Sequence, residues 1–176
     1  MKRLWLVLVA VVVLAAWTVP AFAQWGEETM GNNLRVRIGA FFPSKSASRD
    51  KANTWFTAGV DYVLKRDIVL REGYSANLGV SLDYYGSGNV YNVPVQLNYW
   101  GKIGSGLGYT AGVGVGFSKR LNGDTKTGFA YTIGLSYDIS TGQEGGTQLF
   151  IDVRYNGLTG TDDEHNGFAV GLGARF

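Results

Sequence analysis

Residues 107–117 read Leu-Gly-Tyr-Thr-Ala-Gly-Val-Gly-Val-Gly-Phe. Leu107, Tyr109, Ala111, Val113, Val115 and Phe117 fall on one parity, and Gly108, Thr110, Gly112, Gly114 and Gly116 on the other. A repeat of two is that of a β-strand with unlike faces, since a helix would repeat every 3.6 residues. The core Gly112-Val-Gly-Val-Gly116 superficially resembles a phosphate-cradling loop. Such a loop opens a helix, and no helical pattern follows. Glycine on the lumen side of a narrow barrel accounts for the spacing.

The same alternation extends in both directions. Upstream, Leu34, Val36, Ile38, Ala40 and Phe42 oppose Arg35, Arg37 and Gly39. Phe56 to Leu64 alternate against Thr57, Gly59 and Asp61, Tyr74 to Tyr84 against residues that include Gly79 and Asp83, and Tyr91 to Tyr99 against Asn92, Gln96 and Asn98. Downstream, Phe129 to Tyr137 oppose Thr132, Gly134, Ser136 and Asp138. Leu149, Ile151, Val153 and Tyr155 oppose Gln148, Phe150, Asp152 and Arg154, and Phe168 to Phe176 oppose Gly171, Gly173 and Arg175. That gives eight strands joined by polar or Gly-rich connections of hairpin length. No segment after Gln24 has a convincing helical period and length. The expected fold class is all-β: an eight-stranded antiparallel up-and-down transmembrane β-barrel, whose even count returns the last strand to the side of the first.

The 176 residues fit one domain. Lys2 and Arg3, the apolar run Leu4 to Trp17 and the small-x-small site Ala21-Phe22-Ala23 read as a secretory signal cleaved before Gln24. The expected division is therefore 1–23 signal peptide, 24–33 short periplasmic segment and 34–176 barrel. Removing the signal leaves 14 basic and 14 acidic residues, a balance that gives no reason to expect a nucleic-acid partner. With no cysteine, a disulfide framework and thiolate metal sites are excluded.

Alternation alone does not separate a membrane barrel from a soluble one, which would turn its apolar face inward. The aromatic residues decide. Tyr74 and Tyr84, Tyr91 and Tyr99, Tyr109 and Phe117, Phe129 and Tyr137, and Phe168 and Phe176 bracket small aliphatics at intervals of eight to ten residues. At ~3.3 Å per residue and a tilt of about 40°, each interval spans roughly 20–25 Å of membrane normal, close to the outer-membrane apolar band. A soluble core has no use for two aromatic girdles. The opposite face carries Arg35, Arg37, Arg154 and Arg175 with Asp61, Asp83, Asp138 and Asp152. Such a balanced set is expected to pair across a narrow lumen and fill it.

With these features the chain resembles the OmpA-type transmembrane domain and the wider family of small bacterial outer-membrane barrels. The resemblance covers Leu34 to Phe176 and rests on Arg37-Ile-Gly-Ala-Phe-Phe-Pro43, the Gly-rich hairpins and the terminal aromatic Phe176. It implies residence in the bacterial outer membrane, periplasmic chaperones as partners, and a last strand read by the barrel-assembly machinery through Phe168, Val170, Leu172 and Phe176. Ala174 departs from the bulkier residue usual at its position.

Candidate chemistry is sparse. The sole histidine, His165, follows Asp162, Asp163 and Glu164, a grouping that could suit a hydrolase or a divalent cation. Small barrels that deacylate lipid A carry His-x-Ser on a strand, whereas here His165-Asn-Gly167 lacks the nucleophile. A hydrated acidic loop is the expectation, with no catalytic, metal or cofactor site. Lys45, Arg49 and Lys51 in the first outer loop and Lys119, Arg120 and Lys126 in the third are candidate contacts for lipopolysaccharide phosphates. The function expected is structural or surface-interacting, with the lumen plugged by Arg/Asp pairs. The alternative is a narrow porin-like channel for ions or small solutes. A lipid-acting barrel enzyme ranks third and a soluble periplasmic binding barrel fourth.

Overall fold

The computed structural model describes residues 33–71, 74–103, 106–139 and 147–176, without the side chains of 67, 69–71, 74 and 75. The expected signal peptide and nearly all of the expected 24–33 periplasmic segment lie outside the described residues. Eight strands follow in chain order: β1 (Leu34–Pro43), β2 (Trp55–Arg71), β3 (Tyr74–Ser87), β4 (Val90–Lys102), β5 (Leu107–Lys119), β6 (Thr125–Asp138), β7 (Gln148–Leu158) and β8 (Gly167–Arg175). Each pairs antiparallel with the next, and β1 pairs with β8, so the sheet closes as the sequence led us to expect. Closure leaves no unpaired edge, which is what a sheet in hydrocarbon requires.

Each strand is longer than its alternating core by one to several residues at one or both ends, β8 excepted. The largest extension is in β2, which runs on past Leu64 through Lys65 and Arg66. Register shifts between Val63 and Arg71 break its period-two pattern. The connection Gly88-Asn89 between β3 and β4 is a two-residue turn with φ +64° at Gly88. Glycine tolerates a positive φ at the first central position of such a hairpin. One element was not expected: Ser46–Lys51 forms a short helix, α1, between β1 and β2. Six residues are too few to show a helical period.

The faces divide as the alternation requires. Ile133 is 64% exposed and Leu172 58%, with Ile38, Leu64, Val113 and Leu135 comparable, while Asp61 is fully buried and Arg37 is 5% exposed. A water-soluble barrel would reverse this arrangement. Aromatic rings link along the outer face near both rims. Phe129, Tyr131, Tyr155 and Phe168 follow one another with centroids 5.1–6.4 Å apart, and Phe56, Tyr84 and Tyr91 form a second run at the same rim. Tyr99 and Tyr109 meet near the other rim, 6.3 Å apart. These separations lie in the range where ring pairs attract.

Candidate functional site: the lumen and its cap

The inward face of a strand pair decides which charges can meet. Arg35 stands opposite Asp61, and Arg37 opposite Gly59, which in turn faces Asp83. A Cβ at Gly59 would sit 1.9 Å from Asp83 Oδ1 and 2.5 Å from Arg37 Nη2, so the glycine leaves the space in which the two side chains join. Arg37 donates to Asp61 through Nη1 and to Asp83 through Nη2, and its Nε lies 3.8 Å from Asp152 Oδ2. Across the lumen Arg154 Nε donates to Asp152, and its Nη2 stands 3.7 Å from Asp61 Oδ2. Arg35 Nε is also 3.7 Å from that oxygen. Arg35, Arg37, Arg154, Asp61, Asp83 and Asp152 thus form one charge-balanced layer contributed by β1, β2, β3 and β7. Beside it remains a cavity of about 20 Å3 lined by Arg37, Gly59, Asp83 and Arg154, room for about one water.

The other two lumen charges stand apart from that layer. Arg175 Nη1 donates to Asp138 Oδ1 at 2.6 Å, with Lys102 Nζ 3.9 Å from the same carboxylate. Phe150 separates the two groups, with the guanidinium carbon of Arg35 4.7 Å and that of Arg175 4.6 Å from its ring centre. The eight charges expected to form one network are therefore a six-membered layer and a separate pair nearer the end where β1 begins and β8 ends.

Toward the opposite end the lumen is closed a second time. Phe41, Trp55, Tyr85, Val90 and Ala169 form a buried apolar cluster, with Ala52 and Leu121 packed against it. Phe41 stacks on Tyr85 at 4.4 Å. Three loops lie over this cluster and are tied together. Ser48 Oγ in α1 donates to Glu164 O at 2.7 Å, and Ser44 N to Asn166 O at 2.8 Å. Arg120 donates to Glu164 Oε1 at 2.8 Å and also to Asp162, while Leu121 N donates to Glu164 Oε2 at 3.0 Å. His165 lies fully buried, its ring 5.9 Å from that of Trp55 and its Nε2 3.2 Å from Lys119 O.

The expectation of a hydrated acidic loop is corrected on this point: Glu164 and His165 are buried and hold the cap together. Burial lowers the His165 pKa and keeps the ring neutral at pH 7. Burial alone would raise Glu164, but the hydrogen bonds from Arg120 and Leu121 N outweigh it and hold the carboxyl below its ordinary value. Among the described residues no group of three or more His, Asp or Glu is placed to hold a metal ion.

The six candidate lipopolysaccharide contacts divide. Arg120 is engaged by Asp162 and Glu164, Lys45 Nζ donates to Asp162 O at 2.6 Å, and Arg49 Nη1 donates to the carbonyls of Pro43 and Ser44. Lys51 and Lys126 are exposed, and Lys119 is half-buried. Lys119 ends β5 and Lys126 lies at the start of β6, rather than in the loop between them. Of the proposed assembly signal, Phe168, Val170, Leu172 and Phe176 all project outward, each more than 40% exposed.

No family model matches the chain and no curated protein matches it. Solved structures do. A de novo designed transmembrane β-barrel superposes with a TM-score of 0.50 at 14% identity, over 85% of this chain and 99% of the design. The Yersinia pestis outer membrane protein Ail in a phospholipid bilayer nanodisc gives 0.52 at 17% identity, over 83% of this chain and 99% of Ail. The N-terminal β-barrel domain of Pseudomonas aeruginosa OprF is also similar, at 0.45 and 16% identity, over 84% and 98% of the two chains. The likeness is one of fold, and it is the fold expected from the sequence: a closed, eight-stranded antiparallel up-and-down β-barrel.

Proposed function

We propose that this chain is an integral bacterial outer-membrane protein, exported by a cleaved signal peptide, with a structural or surface-interaction role. Its lumen does not conduct. The observation that carries this reading is the double closure of the lumen, by the Arg/Asp layer and by the aromatic cluster beneath the loop cap. A side chain or water path crossing both would have to break buried ion pairs and displace Phe41 and Tyr85. The cap surface and the membrane-facing wall are then the parts left to meet partners, among them outer-membrane lipids. The assembly machinery would read the outward row Phe168, Val170, Leu172 and Phe176. Lipopolysaccharide contact falls to Lys51, Lys119 and Lys126, because Arg120 is already neutralised. Among the described residues no nucleophile–base pair emerges in the cap, where Ser48 and His165 both bond to main-chain carbonyls, which favours a non-enzymatic role. Alkaline carbonate and urea washing of fractionated envelopes tests residence. The protein should stay with the outer-membrane pellet, and release into the supernatant would overturn the reading.

A porin-like channel is favoured by one observation. A cavity of about 400 Å3 occupies the lumen at the end where β1 begins and β8 ends, so a pore would need the layer and the cap to open but no wider barrel.

A further inference from the structure

That cavity has a composition unlike the rest of the lumen. Arg35, Arg66, Lys102 and Arg175 line it together with Trp100, and among the described residues Asp138 is its one acidic lining residue. If Arg35 is counted with the balanced layer above, three cations still face a single carboxylate. Arg35 is 5% exposed, yet its Nε and Nη2 have no hydrogen-bond partner, and Trp100, 4% exposed, leaves its indole Nε1 without one. Arg35 Nε faces Asp61 in the layer at 3.7 Å, which leaves Arg35 Nη2 and Trp100 Nε1 as two neighbouring buried donors. Buried donors are ordinarily satisfied, so an acceptor between them would complete both. The Arg35 guanidinium carbon lies 5.2 Å from the Trp100 ring centre, so the two side chains, from β1 and β4, meet inside the lumen.

We infer that this vestibule binds an oxyanion of the phosphate type. The chemistry follows from the donors. A guanidinium presents its N–H groups as a fork that matches two oxygens of a phosphoryl group, and an indole N–H donates without accepting. Among the described residues the one carboxylate that a cation could use, Asp138, is already engaged by Arg175 and Lys102. The volume lies within the range of small-molecule sites. The Arg/Asp layer closes the inner end, making the site a blind pocket rather than part of a path. Two sources offer this group: a soluble phosphate or phosphate ester, and the headgroup of an anionic phospholipid.

The test is titration of the full barrel, purified from membranes in a phosphate-free maltoside detergent, with inorganic phosphate followed by calorimetry at constant ionic strength. Saturable binding is expected, weakened about ten-fold by Arg175→Gln and by Lys102→Gln and unchanged by Arg120→Gln in the distant cap. Lys102 is 73% exposed at its side chain, so its variant keeps the test valid if Arg175→Gln misfolds. Absence of saturable binding overturns the inference, as does equal binding of chloride or indifference to both variants. Adding short-chain phosphatidylglycerol separates the sources within a positive result. A rightward shift of the phosphate curve identifies a lipid headgroup, and an unshifted curve identifies a soluble phosphate.

Discussion

Replacing Asp61 by Asn would remove the most heavily shared group in the lumen. Its carboxylate accepts from Arg37 and stands 3.7 Å from both Arg35 Nε and Arg154 Nη2, with no exposure to solvent. At an effective dielectric constant of about 20, each 3.7 Å pair is a gross attraction of roughly 4–5 kcal/mol. Desolvation of all four groups offsets most of that. The net loss expected from removing one partner of a buried pair is about 3–5 kcal/mol, because arginines are left buried and unmatched. The double variant Arg37→Met, Asp61→Leu behaves differently. It leaves Arg35 and Arg154 with Asp83 and Asp152, so the layer stays neutral, and apolar replacement of a buried pair is often close to neutral. Urea-driven unfolding from phospholipid vesicles, followed by tryptophan fluorescence, measures both. The double variant should be more stable than Asp61→Asn alone. A double variant at least as unstable as the sum of its two single changes would refute the view that charge matching within this layer governs its stability.

Three further outcomes follow from the geometry. Gly39→Ala would place a Cβ 2.1 Å from Val170 O and 2.6 Å from Gly171 Cα; the β1–β8 seam must shift, and a loss of about 1–3 kcal/mol is expected in the same unfolding assay. Because burial depresses the His165 pKa, the open cap binds more protons than the closed one below the ordinary histidine value of about 6.5. The stability this residue contributes is present above that pH and falls as the pH drops through it, so amides of 159–166 should exchange faster at pH 5 than at pH 7.5 after correction for intrinsic rate, and His165→Gln should abolish the difference. For the proposed lipopolysaccharide contact, Lys51→Gln with Lys126→Gln should weaken binding at low salt while Arg120→Gln, whose charge is already matched, should not. Equal effects would remove that assignment.

What could be read from the sequence was set by parity. Apolar residues on one parity and Arg, Asp and Gly on the other located all eight strands, the outward apolar wall and the inward charges, because a two-residue repeat assigns each position to a face. The inward aromatics Phe41, Tyr85 and Trp100 escaped, since an aromatic beside an apolar residue fits either face. Their parity with Arg37, Asp83 and Asn98 was the available signal, and it places all three inside. The β2 extension escaped for the opposite reason: Lys65-Arg66-Asp67 has loop composition, and beyond the apolar band a strand needs no alternation. Burial of His165 and Glu164 depends on three loops distant in sequence meeting at one end of the barrel, which no local pattern records. The division of the charges into a layer and a separate Arg175–Asp138 pair likewise depends on height along the axis. Parity reports the face of a residue and leaves its height to register.

The central claim is a closed lumen in a membrane-spanning barrel, and planar-bilayer conductance of the wild-type protein tests it most directly. The account predicts a silent bilayer with wild type and current steps only when the layer and cap are both opened, as by Asp61→Ala combined with Phe41→Ala and Tyr85→Ala. Reproducible steps from the wild type, with a stable ion selectivity, would contradict it and make the barrel a channel.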